Sequence, residues 1–289
     1  MKIKILIPIY NDWQSVFKLL ENINSEVSGL EYEFSAIIVN DASTESRPEI
    51  NLNLDNLNSI RIINMKENRG HARCNASGLK HIFENEEFDY IIPMDGDGED
   101  RPEEIKQLLD NLNYYPDKPI VGERIKRSEG IFFRLCYFVH KVISFTFTGE
   151  SIKYGNYTCL PKSIVEKMIF EKATWSSFSG SLAKVAKNKV AVPSERGIRY
   201  FGPSKMSFKS LIIHSLSIIS VFKTNVLIRS LLFFLVYMLL IYQNVTAIML
   251  IPVILVLALV AFVFVISGRE NLNELDNSLS NISNIDRIK

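Results

Sequence analysis

Cysteine is scarce in this chain, with three thiols, Cys74, Cys136 and Cys159, among 289 residues. They are odd in number, widely spaced and form no CxxC pair. That excludes a disulfide framework and a thiolate zinc site, and fits a reducing compartment. The four histidines, His71, His81, His140 and His214, are too scattered for an HExxH site. Net charge is nearly absent at +1, so no basic surplus marks a nucleic-acid binder, and nucleic acid is not expected as a partner. Charge is missing altogether between Arg229 and Arg269.

Hydrophobic residues make up 47% of the sequence, and that uncharged stretch concentrates them. Val245 to Ser267 would span about 34 Å as a helix at ~1.5 Å per residue, against a hydrocarbon core of ~30 Å. Val226 to Tyr242 is long enough if Arg229 snorkels to the interface. Gln243 and Asn244 separate the two, so residues 226–268 read as a transmembrane hairpin. The competing reading is the core hairpin of a soluble fold, but long uncharged runs are rare there. Lys205, Lys209, Lys223 and Arg229 precede the hairpin and Arg269 follows it, which places both ends in the cytosol. The opening MKIKILIPIYND lacks a small-residue cleavage site, so no signal peptide is read. The expected location is therefore the cell (inner or plasma) membrane, multi-pass, with residues 1–206 as a cytosolic catalytic domain. Residues 269–289 are expected to form a cytosolic tail.

Before the hairpin, short apolar runs alternate with helical patterns. IKILIPI (3–9), FSAIIV (34–39), SIRIIN (59–64) and DYIIPM (89–94) read as strands. Asp12 is placed to cap a helix that buries Trp13, Val16, Phe17, Leu20 and Ile23. Residues 71–83 read as a helix, and Pro102 opens another with Glu103 and Glu104 in its first turn. This order predicts an α/β domain with a mostly parallel sheet, whose ligands bind at the carboxyl ends of the strands. Residues 131–148 and 207–225 read as interfacial or juxtamembrane amphipathic helices, with ordinary core helix as the alternative.

MDGDGEDRPEE (94–104) then stands out, with six carboxylates and two glycines in eleven residues directly after an apolar strand. Carboxylates crowded at a sheet edge repel one another unless they share a cation, and oxygen ligands suit Mg²⁺ or Mn²⁺. An EF-hand is excluded, because its glycine and glutamate positions hold Asp100 and Lys106. A solvated acidic turn is the plain alternative.

Six stretches in order resemble membrane-anchored glycosyltransferases of family 2, close to dolichyl- and polyprenyl-phosphate sugar synthases. PIYND (8–12) is similar to P-x-Y-N-E, and VNDAST (39–44) to V-D-D-G-S. NRGHARCNASGL (68–79) is similar to N-x-G-H-x-x-A-x-x-x-G-L, and MDGDGEDRPEE to M-D-A-D-L-Q-x-P-P-E. VGERIKR (121–127) and RYFGPSKMS (199–207) resemble V-x-G-x-R-x-x-R and R-x-x-G-x-S-K-Y-S. The sequence departs from the pattern at Glu99, where the family has glutamine, at Met206 for tyrosine, and at Asn156 in GNY (155–157), where many members carry aspartate.

The resemblance implies a GT-A (Rossmann-like) catalytic domain ahead of the hairpin, and an inverting hexosyltransferase that uses a UDP- or GDP-linked sugar. It implies Asp95, Asp97 and Glu99 as ligands of Mg²⁺ or Mn²⁺, with Asp95 also a ribose contact. Pro8, Tyr10, Asp12, Asp41, Asn68 and Gly70 would line the nucleotide. The implied acceptor is a polyprenyl phosphate, drawn from the membrane lipids that surround the hairpin. Such a nucleophile is already anionic and needs no strong base, which suits Asn156. What it needs is cationic holding, for which Arg124, Arg127, Arg134, Arg199 and Lys205 are candidates. His71 is a candidate supporting donor or a capped helix start. A glycan or glycolipid hydroxyl acceptor is the second reading, and a non-catalytic nucleotide-sugar-binding membrane protein the third. Self-association through the hairpin stays open.

Overall fold

The computed structural model describes residues 1–49, 53–126, 131–203 and 207–289, without the side chains of 126, 131–137 and 140. In chain order the elements begin β1 (Lys2–Ile9), α1 (Trp13–Glu26), β2 (Glu33–Asn40), β3 (Ser59–Met65), α2 (His71–Asn85) and β4 (Tyr90–Pro93). They continue with α3 (Ile105–Asp110), β5 (Ile120–Lys126), α4 (Ile131–Thr148), β6 (Tyr154–Pro161), α5 (Lys162–Ile169) and α6 (Phe178–Val185). Next come β7 (Val190–Glu195), α7 (Phe208–Ser220), α8 (Lys223–Ile241), α9 (Ile251–Ser267), α10 (Leu272–Asp276) and β8 (Ile282–Arg287). The chain divides into two compact units: residues 1–128, 153–205 and 271–289 form one, and residues 129–152 and 206–270 the other.

The first unit is built on one eight-stranded sheet in the order β7-β5-β6-β4-β1-β2-β3-β8. Its centre, β4-β1-β2-β3, is parallel. Strand β6 runs antiparallel to β4 and β5, and β8 antiparallel to β3. Strands β1 and β2 are buried along almost their whole length, because both faces are covered. Ile3, Ile5 and Ile7 pack with Val16, Leu20 and Ile23 of α1, while Leu6 faces the cluster holding Leu79 and Ile82 of α2. Period-two alternation splits one apolar run between two cores. The consequence for function is that β1, β2, β3 and β4 all end at one edge, which carries Tyr10 to Asp12, Asp41, the 66–70 loop and the acidic turn.

Two local expectations change. Pro102 opens a 3-10 turn, Pro102–Glu104, and the α-helix starts only at Ile105. Residues 269–289, expected from sequence as a cytosolic tail, place α10 and β8 in the first unit from residue 271 on, with β8 paired along β3 from Arg61↔Arg287 to Met65↔Ile282. A six-residue polar strand (ISNIDR) has no apolar alternation to announce it, and its pairing partner lies more than 200 positions away in sequence.

In the second unit, α8 and α9 are long and apolar enough to cross a membrane, and only 11% of each span's most apolar window is buried. A core hairpin of a soluble fold would be mostly buried. The exposed Arg229 side chain on α8 reaches the C-terminal end of α4. Its Nη1 donates to the carbonyls of Thr146 at 2.9 Å and Phe145 at 3.4 Å, while Asn225 Nδ2, one turn earlier, donates to Thr148 O at 2.9 Å. These carbonyls lie in the last turn of α4, where Phe145 O already accepts from the Gly149 amide at 2.9 Å, and a cation there also complements the helix dipole. Gly149 closes α4 at φ +80°, and a Cβ at that position would lie 2.6 Å from the Arg229 guanidinium. Charge in an apolar helix is thus spent on a helix end.

Candidate functional site

The sheet edge is assembled from backbone outward. Asp41 follows β2 directly, and its two carboxylate oxygens accept from the amides of Arg69 at 3.0 Å and Gly70 at 2.8 Å. The loops after β2 and β3 are therefore tied together at one buried carboxylate, whose pKa is raised by burial against those two hydrogen bonds. Asn11 takes a left-handed conformation (φ 52°), and its Oδ1 accepts from the amides of Thr44 and Glu45 at 2.8 and 3.1 Å. Tyr10 stands exposed beside this junction. Asp12 does not cap α1: no side-chain cap is formed, and its carboxylate instead pairs with Arg199. A guanidinium displaces a helix amide here because it brings full charge: its Nη2 donates to Asp12 while its Nη1 donates to Asp97.

The acidic turn follows β4. Asp95 Oδ1 accepts from Asn156 Nδ2 at 3.0 Å and lies 3.3 Å from His71 Nε2. Its own amide donates to Asp100 Oδ2 at 2.9 Å. Asn156 Nδ2 is also 2.6 Å from His71 Nε2, so α2, β4 and β6 meet at this point. Asp97 Oδ2 accepts from Arg199 Nη1 at 2.8 Å, and Glu99 pairs with Arg196. Arg199 therefore bridges Asp12 and Asp97 across the edge.

Residues 196–201 lie over the turn as a strap. Gly197 donates its amide to Glu99 O at 2.8 Å, and Tyr200 to Asp97 O at 2.9 Å. The Tyr200 ring lies against Gly98 and its hydroxyl accepts from Asn22 Nδ2 at 2.7 Å. Gly98 has φ +89°, and a Cβ there would sit 2.5 Å from the Tyr200 ring. Glycine is needed at this position both for conformation and for room.

The charges on the turn are unevenly compensated. Burial raises Asp95, but His71, Asn156 and Arg124 outweigh it, and the net direction is down. Asp100 is pushed up to about 8 by burial and by the Asp95 charge, with Arg124 Nη2 offsetting from 3.7 Å. Asp97 is raised to about 6 by burial and by the charges of Asp95 and Glu99, which Arg199 offsets only in part. Since the folded pKa of Asp97 exceeds its ordinary value of 3.8, the fold holds this proton more tightly than the unfolded chain does. Stability from this group is present below about pH 4 and is lost as pH rises through about 6, by at most about 3 kcal/mol at ~1.4 kcal/mol per unit. In EDTA, the wild-type melting temperature should fall across that window. Asp97→Asn should remove part of the fall, while the Asp100 contribution of the same sign, reaching to about pH 8, stays.

Of the sequence-derived candidates, Pro8, Tyr10, Asp12, Asp41, Asn68, Gly70, Asp95, Asp97, Glu99 and Asn156 lie on or beside the carboxyl edge. Arg124 on β5 reaches Asp100, and Arg199 reaches Asp12 and Asp97. Arg127 and Lys205 lie outside the described residues, as does the Arg134 side chain. Sequence reasoning missed Asp100, Arg196, Tyr200 and Asn22. The first was visible as a fourth acid in the turn, whereas the strap contacts span about a hundred residues or more.

Among the described residues, no group of three or more His, Cys, Asp or Glu side chains is arranged to hold a metal ion. Asp95, Asp97 and Glu99 do not converge on one point: Asp97 is paired with Arg199 and Glu99 with Arg196. The donor set nevertheless fits a hard divalent cation in kind: it is all oxygen, and Asp97 carries a charge its surroundings disfavour at neutral pH.

The model of the family described as "Glycosyl transferase family 2" matches residues 4–161, more than half of the chain. Solved structures share the fold at low identity. TarS 1-349 from S. aureus, in complex with UDP-GlcNAc, is 13% identical over 80% of this chain and 70% of its own, with a TM-score of 0.51. Glucosyl-3-phosphoglycerate synthase from Mycobacterium tuberculosis, in complex with Mn²⁺, UDP and glucosyl-3-phosphoglycerate, is 11% identical over 78% and 79%, with a TM-score of 0.53. The same enzyme with Mn²⁺, UDP-glucose and phosphoglyceric acid gives 12% identity over 78% and 79%, and 0.53.

Proposed function

The chain belongs to glycosyl transferase family 2 and transfers sugar from a nucleotide-sugar on a GT-A-like α/β fold, and from that premise we propose that it moves a hexose onto a polyprenyl phosphate at the cytosolic face of a membrane. The observation that carries this reading is Asn156. An amide stands against Asp95 where a hydroxyl acceptor would call for a carboxylate base. A lipid phosphate arrives already ionised, so the new bond from its oxygen to the anomeric carbon forms as the bond to the nucleoside diphosphate breaks, with no proton to remove.

The nucleotide would lie along Pro8, Tyr10, Asp12, Asp41, Asn68 and Gly70, with a UDP- or GDP-linked sugar reaching toward the acidic turn. Asp95, Asp97 and Glu99 would hold Mg²⁺ or Mn²⁺ once Arg196 and Arg199 release them. Bound there, the ion would draw charge off the departing diphosphate. Released Arg199 would then face phosphate rather than carboxylate, with Arg124, Arg127 and Lys205 as the further candidate cations. Guanidinium groups suit this exchange, since both partners take the same forked geometry.

Connectivity supports the proposed anchor. The chain leaves the catalytic unit before α7 and returns to it at residue 271, so an α8–α9 pair that crosses a membrane does so as a hairpin with both ends on one side. The basic residues flanking the pair favour the cytosol. Product chemistry tests the acceptor. Membranes containing the protein, given labelled UDP- or GDP-sugar, should yield a prenyl-phospho-sugar that mild acid cleaves. An acid-stable glycoside would point to a hydroxyl acceptor instead.

A further inference from the structure

We infer that residues 271–289 form a positioning element of the donor site, and that Asp286 is the side chain through which they set the loop after β2. The inference rests on the reading that the nucleotide binds along Pro8, Tyr10, Asp12, Asp41, Asn68 and Gly70.

Pairing of β8 with β3 needs only backbone, and Ile62↔Asp286 is one rung of it. The Asp286 carboxylate is therefore spare for another task. Its Oδ2 accepts from Arg47 Nη1 at 2.8 Å and from Asn64 Nδ2 at 3.2 Å. Asn64 Oδ1 accepts from Asn40 Nδ2 at 2.9 Å, and Asn40 Oδ1 from the Ser43 amide at 3.0 Å. Ser43 Oγ accepts from the Asn11 amide at 2.8 Å. Every donor in this series points toward Asp286, and the series crosses β8, β3 and β2 before ending between Tyr10 and Asp12.

Direction is the point of the arrangement. An asparagine amide can be turned end for end, and nothing in its shape decides which way it faces. A carboxylate accepts only, so it fixes Asn64 with its nitrogen outward. That leaves Asn64 Oδ1 to fix Asn40, and Asn40 Oδ1 to hold Ser43. Aligned hydrogen bonds also polarise one another in one sense. The same segment grips the next loop, where Asn281 Nδ2 donates to Glu67 O at 3.0 Å and the Lys66 amide to Asn281 O at 2.7 Å. Asp41 joins the two gripped loops through Arg69 and Gly70. Residues beyond the hairpin thus hold both loops that meet at the nucleotide edge.

The test compares full-length wild type with Asp286→Ala, Asp286→Asn and Arg47→Ala. UDP and GDP are titrated with Mn²⁺ in detergent, and donor KM, kcat and melting temperature are recorded. Asp286→Ala should weaken nucleotide binding and raise donor KM by about 5- to 20-fold, the scale of about one hydrogen bond, with kcat near wild type. Asp286→Asn retains an acceptor for Asn64 but no longer enforces the direction of the series, so it should fall between Asp286→Ala and wild type, as should Arg47→Ala. If Asp286→Ala fails to fold, Arg47→Ala decides, since that side chain lies on the loop and outside the sheet. Nucleotide affinity unchanged in the folded variants, or kcat falling alongside melting temperature at constant affinity, overturns the inference. A wild type that binds neither nucleotide overturns the site reading beneath it.

Discussion

Asp97→Ala should reduce sugar transfer by at least about 100-fold, measured as label moved from nucleotide-sugar to lipid in membranes of matched protein content. The expectation follows from the position of Asp97 rather than from acidity alone. Burial and two neighbouring acids raise its pKa to about 6, so near neutral pH it carries a charge that the fold tolerates poorly. A divalent cation shared with Asp95 would relieve that strain, and the relief would appear as affinity. Removing the carboxylate also strands Arg199, which then faces Asp12 alone. Two outcomes separate these effects. If Asp97 holds the ion, raising Mn²⁺ should restore part of the activity of Asp97→Asn, which keeps an oxygen ligand, but little of that of Asp97→Ala. If Asp97 serves only to hold the strap through Arg199, neither variant should respond to Mn²⁺. Turnover of Asp97→Ala equal to wild type would remove the acidic turn from the mechanism altogether.

Asn156→Asp is the second large effect, and its sign discriminates between acceptors. The new carboxylate would replace an amide that donates to Asp95 at 3.0 Å, setting like charges against each other in a half-buried setting. At such separations the repulsion is several kcal/mol even at an effective dielectric of about 20. One of the two acids would then take up a proton near neutral pH. For a phosphate acceptor the substitution adds only repulsion toward an incoming anion, and kcat/KM should fall about tenfold or more. For a hydroxyl acceptor it would supply a base, and activity should rise, most steeply above the raised pKa. A pH profile of wild type and variant on the same membranes distinguishes the two signs.

How much of this was legible beforehand depended on the range of the interaction. Apolar runs such as IKILIPI and FSAIIV gave strands within a residue or two of β1 and β2, because their burial is set locally by strand periodicity. The α1 face came from helical spacing in the same way, and Trp13, Val16, Phe17, Leu20 and Ile23 are all buried. The order of motifs brought Asp12, Asp41 and Asp95 to one edge, since parallel strands deliver their carboxyl ends together. What failed was anything decided by a distant partner. Asp12 looks like a helix cap until Arg199 competes for it, and the bonds of Arg229 to the last turn of α4 link positions more than 80 residues apart. The polar segment ISNIDR carries no signal of its own, and becomes a strand only because β3 offers an unpaired edge. The strap of residues 196–201 was half visible, with Arg199 in a recognisable motif, while its grip on Gly98 through Tyr200 depended on backbone conformation at a glycine.

The most direct test of the central claim, that the turn after β4 is where a divalent cation meets the nucleotide diphosphate, is anomalous diffraction at the manganese edge from crystals grown with Mn²⁺ and UDP or GDP. The account expects a peak about 2.1–2.3 Å from carboxylate oxygens of Asp95 or Asp97, with Arg199 turned away from Asp97 toward phosphate. Nucleotide bound at the sheet edge with no anomalous peak beside residues 95–99, and Arg199 still seated on Asp97, would contradict it.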